Sequence, residues 1–205
     1  MAPVTGGLLL LASAVRYALA SAEPVTTPML SRPTPCTEWN LETLLDHVSD
    51  SAGVLHQALA AGCVGPALPL GDRRPRPDPV CGLHRQTARL LATCAAAGPV
   101  QRLVAIGDRE LTTNMVALAG ALEITVHGWD ISVACGPRRP VPSGLAAILL
   151  PLAPLLITPA TRPGLFADPV PVPAQASPGD QLLAFLGRRP HPPPAARTAG
   201  NRRPS

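Results

Sequence analysis

Apolar residues recur along this chain at spacings of three and four, and prolines mark where each such run must stop. Leu8, Leu11, Val15 and Leu19 fall on one face, so Gly6 to Leu19 predicts a first core helix. A proline inside a helix costs about 3 kcal/mol, so only the proline-free gaps can hold long helices. Four gaps qualify: residues 4–23, 36–65, 80–98 and 100–136.

In the second gap Leu41, Leu44, Leu45, Val48, Ala52, Leu55 and Leu59 form a single stripe, with Asn40 as N-cap and Thr43 at the third helical position. That helix runs to Gly62. The third gap predicts a helix from about Leu83 to Ala97, with Leu83, Leu90, Leu91 and Cys94 inward and Gly98-Pro99 as its stop. The fourth predicts one from about Thr112 to Ala134, ended by Cys135-Gly136-Pro137. Four helices joined by Pro-, Gly- and Arg-rich turns predict an all-α four-helix bundle.

Beyond Pro137 the prolines thicken. Ser143 to Thr158 reads as a fifth helix that Pro151 and Pro154 should kink or shorten. Leu165 to Pro173 reads as extended, and Ser177-Pro178 opens a short helix over residues 179–186, with Ser177 as N-cap and Pro178 at its first position. From Arg189 onward nothing can be buried, which predicts a disordered Pro/Arg tail. The domain is therefore expected over residues 1–190, with 191–205 as tail.

Composition narrows the reading. Aromatic residues are few, only Tyr17, Trp39, Trp129, Phe166 and Phe185, so a core of Leu, Val and Ala is required, which favours helices. All seventeen basic residues are Arg and the net charge is +4. Yet Arg188, Arg189, Arg197, Arg202 and Arg203 all follow the last acid, Asp180. The positive charge is thus expected in a tail without aromatic platforms, which argues against a nucleic-acid partner. Five cysteines without a C-x-x-C motif suit a reducing, cytoplasmic compartment. No apolar run reaches the length of a membrane span. Ala18-Leu19-Ala20 and Ala20-Ser21-Ala22 would pass as signal-peptide cleavage sites, but no basic residue precedes the apolar stretch and Arg16 follows it, which favours the core helix.

Candidate chemistry centres on Glu123 and His127. At i and i+4 they project from one helix face, one turn apart, in line with Val116, Ala119, Ile131 and Ala134. A carboxylate and an imidazole on an apolar face need compensation, which a mutual hydrogen bond already supplies; an E-x-x-x-H alone is a weak signal. His47, in line with Leu44, Val54 and Ala58 on the second helix, is expected at the same seam. Two His and one Glu are the ligand types of a catalytic zinc site with an open fourth position. Asp130, one turn beyond His127, is placed either to orient it or to cap the neighbourhood of Trp129. Asp46 and Asp50 flank His47, as outer partners or on a solvated face. His56 and His84 are expected at solvent or a polar seam, His191 in the tail, and Cys36 as a small buried residue lacking a base.

Three motifs resemble a known family. Thr34-Pro35-Cys36, Trp39, Leu44 and His47 match "TPC-x-x-W-x-x-x-x-L-x-x-H"; Glu123-Ile-Thr-Val-His-Gly-Trp-Asp resembles "E-x-x-x-H-x-W-D"; Leu182 to Pro190 resembles "LLAFLGR-x-P". These are motifs of actinobacterial DinB-like metal-binding proteins, related to the N-terminal domain of mycothiol-dependent maleylpyruvate isomerase. The resemblance implies an up-down-down-up DinB-like bundle with His47, Glu123 and His127 on its metal-ligand positions. It implies one divalent metal, zinc by type, and mycothiol as co-substrate of a thiol-dependent transferase or isomerase. The implied partners are a small-molecule thiol and an electrophilic substrate, with a second copy of the chain as a homodimer. The isomerase's separate C-terminal domain has no counterpart here, so maleylpyruvate isomerisation itself is not carried over. The rival is a non-catalytic metal-binding structural or interaction module.

Overall fold

The computed structural model describes residues 6–37, 39–64, 78–97, 102–164 and 166–190. Helices α1 (Gly7–Ala22), α2 (Leu41–Ala61), α3 (Pro79–Ala96) and α4 (Thr113–Cys135) build the bundle. In it α1 packs on α4, and α2 packs on both α3 and α4. The fold is mainly α-helical and DinB-like. Among the described residues, no helix is long and apolar enough to cross a membrane.

The caps follow from side chains that the sequence offers. Asn40 accepts the Thr43 N–H at 2.9 Å, and Gly62, at φ 74°, closes α2 in the left-handed conformation. α3 begins four residues before Leu83, because Asp78 accepts the Cys81 N–H at 2.9 Å and Pro79 takes the first helical position. Its expected stop, Gly98-Pro99, lies outside the described residues. Thr112 caps α4 by accepting from the Met115 N–H at 3.2 Å.

α4 is buried around nearly its whole circumference, not along one stripe, because α1, α2 and the helix that follows all lean on it. Small residues make that possible. Ala14 and Ala18 of α1 and Ala117 and Ala121 of α4 are fully buried, and Gly128 lets the α1 backbone come close: a Cβ there would stand 3.0 Å from Ala18 Cα. Ala119, expected on the inward face, is exposed.

One feature departs from a purely helical expectation. Strands β1 (Cys63–Val64), β2 (Leu103–Ile106) and β3 (Arg109–Thr112) form a small sheet in that order, β1–β2 parallel and β2–β3 antiparallel. A two-residue Gly107-Asp108 turn, with Gly107 at φ 61°, closes the hairpin. The expected fifth helix is present as α5 (Ser143–Leu156), two residues shorter than Ser143 to Thr158 and with Pro151 and Pro154 inside it. Both prolines are on its exposed side, where water can serve the carbonyls they leave unbonded, while Leu145, Ala146, Leu149 and Ala153 hold the buried side.

α6 (Pro178–Phe185) packs on α5. Ser177 caps it by accepting from the Asp180 N–H at 3.1 Å, with Pro178 at the first position. Leu182, Leu183 and Leu186 are buried. The expected tail, residues 191–205, lies outside the described residues, as does Leu165, the expected start of the extended segment.

Candidate metal centre

α2 and α4 face each other across the site, and each contributes the side chains that its helical register dictates. His47 projects from the first half of α2; Glu123 and His127 project from α4 one turn apart. His47 Nε2 lies 2.8 Å, and His127 Nε2 3.2 Å, from one and the same oxygen, Glu123 Oε1. The imidazole rings meet edge to face with centroids 4.9 Å apart. His127 is nearly enclosed, at 8% side-chain exposure, whereas His47 and Glu123 keep 25% and 31%. The cluster therefore opens to solvent on its His47–Glu123 side.

A second layer lies behind His127. Its Nδ1 donates to Asp130 Oδ2 at 3.1 Å, and Asp130 is fully buried. Arg188 grips the same carboxylate with two bonds, Nε to Oδ1 at 3.2 Å and Nη2 to Oδ2 at 2.8 Å. Cys36 Sγ accepts from Arg188 Nη2 at 3.1 Å and lies 3.4 Å from Asp130 Oδ2.

The loop before α2 supplies the wall. Thr34 Oγ1 accepts the Cys36 N–H at 3.1 Å and donates to the Trp39 carbonyl at 2.9 Å. The turn so formed carries Trp39 over the site, its ring centroid 4.5 Å from that of His47. Arg32 fastens the loop to the end of α4 through the Ala134 and Cys135 carbonyls, both at 3.3 Å, where a cation also suits the helix dipole.

The charges are mutually dependent. Burial alone would raise the Glu123 pKa, but hydrogen bonds from His127 and His47 hold it well below the usual carboxylate range. Burial would lower that of His127, yet its bonds to Asp130, Cys36 and Glu123 push it well above the ordinary imidazole value. Asp130 is held low against its burial by His127 and Arg188.

The donor set fits a divalent cation. With the His127 Nδ1 proton committed to Asp130, a hydrogen bond from Nε2 to Glu123 requires a second ring proton. A bound cation would take the place of the protons that His47 and His127 share with Glu123 Oε1. Ligand atoms about 2.0–2.2 Å from a tetrahedral ion stand roughly 3.5 Å apart. The 2.8 and 3.2 Å separations would need to open by about 0.3–0.7 Å, and all three ligand atoms lie within 4.8 Å of one another. Cys36, His127 and Asp130 converge equally closely, but the Arg188 guanidinium already supplies the positive charge there. That group lies behind His127, in a carboxylate–histidine arrangement of the kind that orients metal-bound imidazoles.

His47, Glu123 and His127 are thus brought together, and of the two places open to Asp130 the structure shows the one beside His127 Nδ1. Cys36 departs from expectation, since it is half-buried and wired to Asp130 and Arg188. Arg188, read as part of a basic tail, is buried and paired. His56 lies on a polar seam, its Nδ1 2.7 Å from Thr93 Oγ1, and His84 is exposed. Asp46 and Asp50 are not among the converging groups, and His191 lies outside the described residues. Val54 is exposed at 42% although it shares the His47 face.

The family model described as the mycothiol maleylpyruvate isomerase N-terminal domain matches residues 11–132. Two uncharacterized proteins of Mycobacterium tuberculosis are similar to the chain, one from strain CDC 1551 / Oshkosh and one from strain ATCC 25618 / H37Rv. Each is 30% identical over 167 residues, covering 80% of this chain and 87% of the relative. No solved structure matches.

Proposed function

The chain belongs to the mycothiol maleylpyruvate isomerase N-terminal domain family, and from that premise we propose that it binds one divalent metal and presents a low-molecular-weight thiol, mycothiol, to an electrophilic substrate. The observation that carries this reading is the convergence of His47 Nε2 and His127 Nε2 on Glu123 Oε1. His47, Glu123 and His127 would hold the ion, zinc by its donor set. When bound, such an ion supplies Lewis acidity, lowering the pKa of a thiol in its open position.

The chain's own residues do the rest. Asp130 keeps the His127 proton on Nδ1, so that Nε2 would be the nitrogen offered to a bound cation. Glu123 contributes one negative charge. Trp39 covers the two imidazoles and limits water around them. Cys36 is turned toward Arg188 and Asp130 behind the cluster, which supports an external thiol as the attacking group. The reaction class is thiol transfer or thiol-assisted isomerisation. All five cysteines are free, which suits a reducing cytoplasm.

Calorimetric titration of metal-loaded protein with mycothiol, paired with the rate of thiol addition to a model electrophile, tests the reading. Saturable binding, a rate above that of free zinc, and preference for mycothiol over glutathione are expected. Glu123→Gln should slow the reaction. No thiol binding and no rate above free zinc would refute the thiol reading and leave a structural metal protein.

A further inference from the structure

We propose that Arg188 is a positioning residue of the metal centre: through Asp130 it fixes His127, so that docking of the C-terminal segment and metal binding are coupled. The proposal rests on the metal reading above and extends it to a part of the chain beyond residues 11–132, where the family model ends.

Local geometry aims Arg188 at the site. α6 ends with Gly187 in the left-handed conformation, φ 79°. The Gly187 N–H bonds the Ala184 carbonyl at 3.0 Å and the Arg188 N–H bonds the Leu183 carbonyl at 2.9 Å. This paired pattern is a Schellman motif with glycine at C′ and Arg188 at C″. A Cβ on Gly187 would meet the Ala167 carbonyl oxygen at 2.7 Å, so the turn is restricted to glycine twice over. On the far side, Arg138 Nη1 bonds the Pro190 carbonyl at 2.9 Å and Arg188 Nη1 bonds the Leu186 carbonyl at 3.1 Å. The segment is thus pinned before and after the guanidinium.

The chemistry of the contact is specific. Asp130 is fully buried, and an arginine fork satisfies both of its oxygens while leaving Oδ2 to accept from His127 Nδ1. Without Arg188 the buried carboxylate would be held by His127 and the weak Cys36 donor, and the imidazole would lose the restraint on its orientation. Outer partners of metal-bound histidines alter affinity by about 10–100-fold when removed. Coupling is reciprocal, so metal should in turn hold down the segment that carries Arg188.

The test measures Co²⁺ affinity by chelator competition, and the Co²⁺ absorption spectrum, for the full chain and for Arg188→Gln, Asp130→Asn and the double variant. Each single change should weaken Co²⁺ binding by about 10–100-fold and alter the spectrum. The double variant should be little worse than the singles, because both act on one chain of bonds. Arg188→Lys, which keeps the charge but loses the fork, should recover part of the affinity; it also serves where the glutamine variant does not fold. Hydrogen exchange across residues 178–190 should slow when the wild-type chain takes up Co²⁺. Wild-type affinity and spectrum in Arg188→Gln, or additive losses in the double variant, would overturn the proposal. No Co²⁺ uptake by the wild-type chain would refute the metal reading itself and this proposal with it, a distinct outcome from uptake that ignores Arg188.

Discussion

Replacing Gly128 with alanine puts one methyl group into the α1–α4 seam, immediately after His127. The new Cβ would stand 3.0 Å from Ala18 Cα, 3.0 Å from Tyr17 Cδ1 and 3.1 Å from Tyr17 Cε1, all inside ordinary contact. Neither neighbour yields easily. Ala18 presents backbone, and the Tyr17 ring is tethered by its hydroxyl to the Arg139 carbonyl at 2.8 Å. Overpacking of this kind costs about 1–3 kcal/mol, against which alanine regains up to about 1 kcal/mol of helix propensity. The mid-range balance is a loss of about 1 kcal/mol, or about 2–4 °C in Tm for a chain of this size. Gly144→Ala is the control: Gly144 lies on α5 with open space around its Cβ position and no positive φ, so it should gain about 0.4–1 kcal/mol. Differential scanning calorimetry of the metal-free proteins compares the two. Opposite signs are expected, and a Gly128→Ala protein as stable as Gly144→Ala would refute close approach of α1 and α4.

Three other outcomes follow from the site. His127 has a raised pKa in the folded state, so its contribution to metal-free stability is complete below about pH 6.5 and is lost as pH rises through the folded value; metal affinity should climb over the same window as protons stop competing, as chelator competition at a series of pH values would show, and a flat profile would contradict it. Asp130 and Glu123 are held low, so the stability they contribute is present above about pH 4–4.5 and fades as pH falls toward their folded values, which acid titration followed by circular dichroism would detect. Cys36→Ser should keep metal stoichiometry, because the Cys36 side of His127 is filled by Arg188; loss of metal would move the ion to the Cys36–His127–Asp130 group.

Helix existence was legible in the sequence because stripes and punctuation agreed. Asn40, Ser177 and Gly62 cap as their residue types require. The hairpin was passed over although Gly107-Asp108 between Leu103–Ile106 and Arg109–Thr112 carries a two-residue turn signal; the proline-free gap that also holds α4 masked it. The fifth helix was legible despite Pro151 and Pro154, because the penalty for an internal proline depends on which face carries it, and both lie on the exposed face of α5. In the site, periodicity placed Glu123 beside His127, and ligand chemistry pointed to His47. Arg188 stood in the sequence as the arginine of the Leu182–Pro190 motif, but its role could not be read out, since its partner lies 58 residues away and only the α6 turn brings the two together.

The central claim is that His47, Glu123 and His127 form a metal centre, and metal content tests it most directly. Purified wild-type protein, exchanged into zinc and freed of loose metal, should retain about one equivalent by mass spectrometric metal analysis, as a single three-ligand site requires. The His47→Ala/His127→Ala double variant removes both imidazoles that converge on Glu123 Oε1 and should retain none, with its helical circular dichroism preserved. Equal retention of zinc by wild type and double variant would place the ion elsewhere and contradict the account.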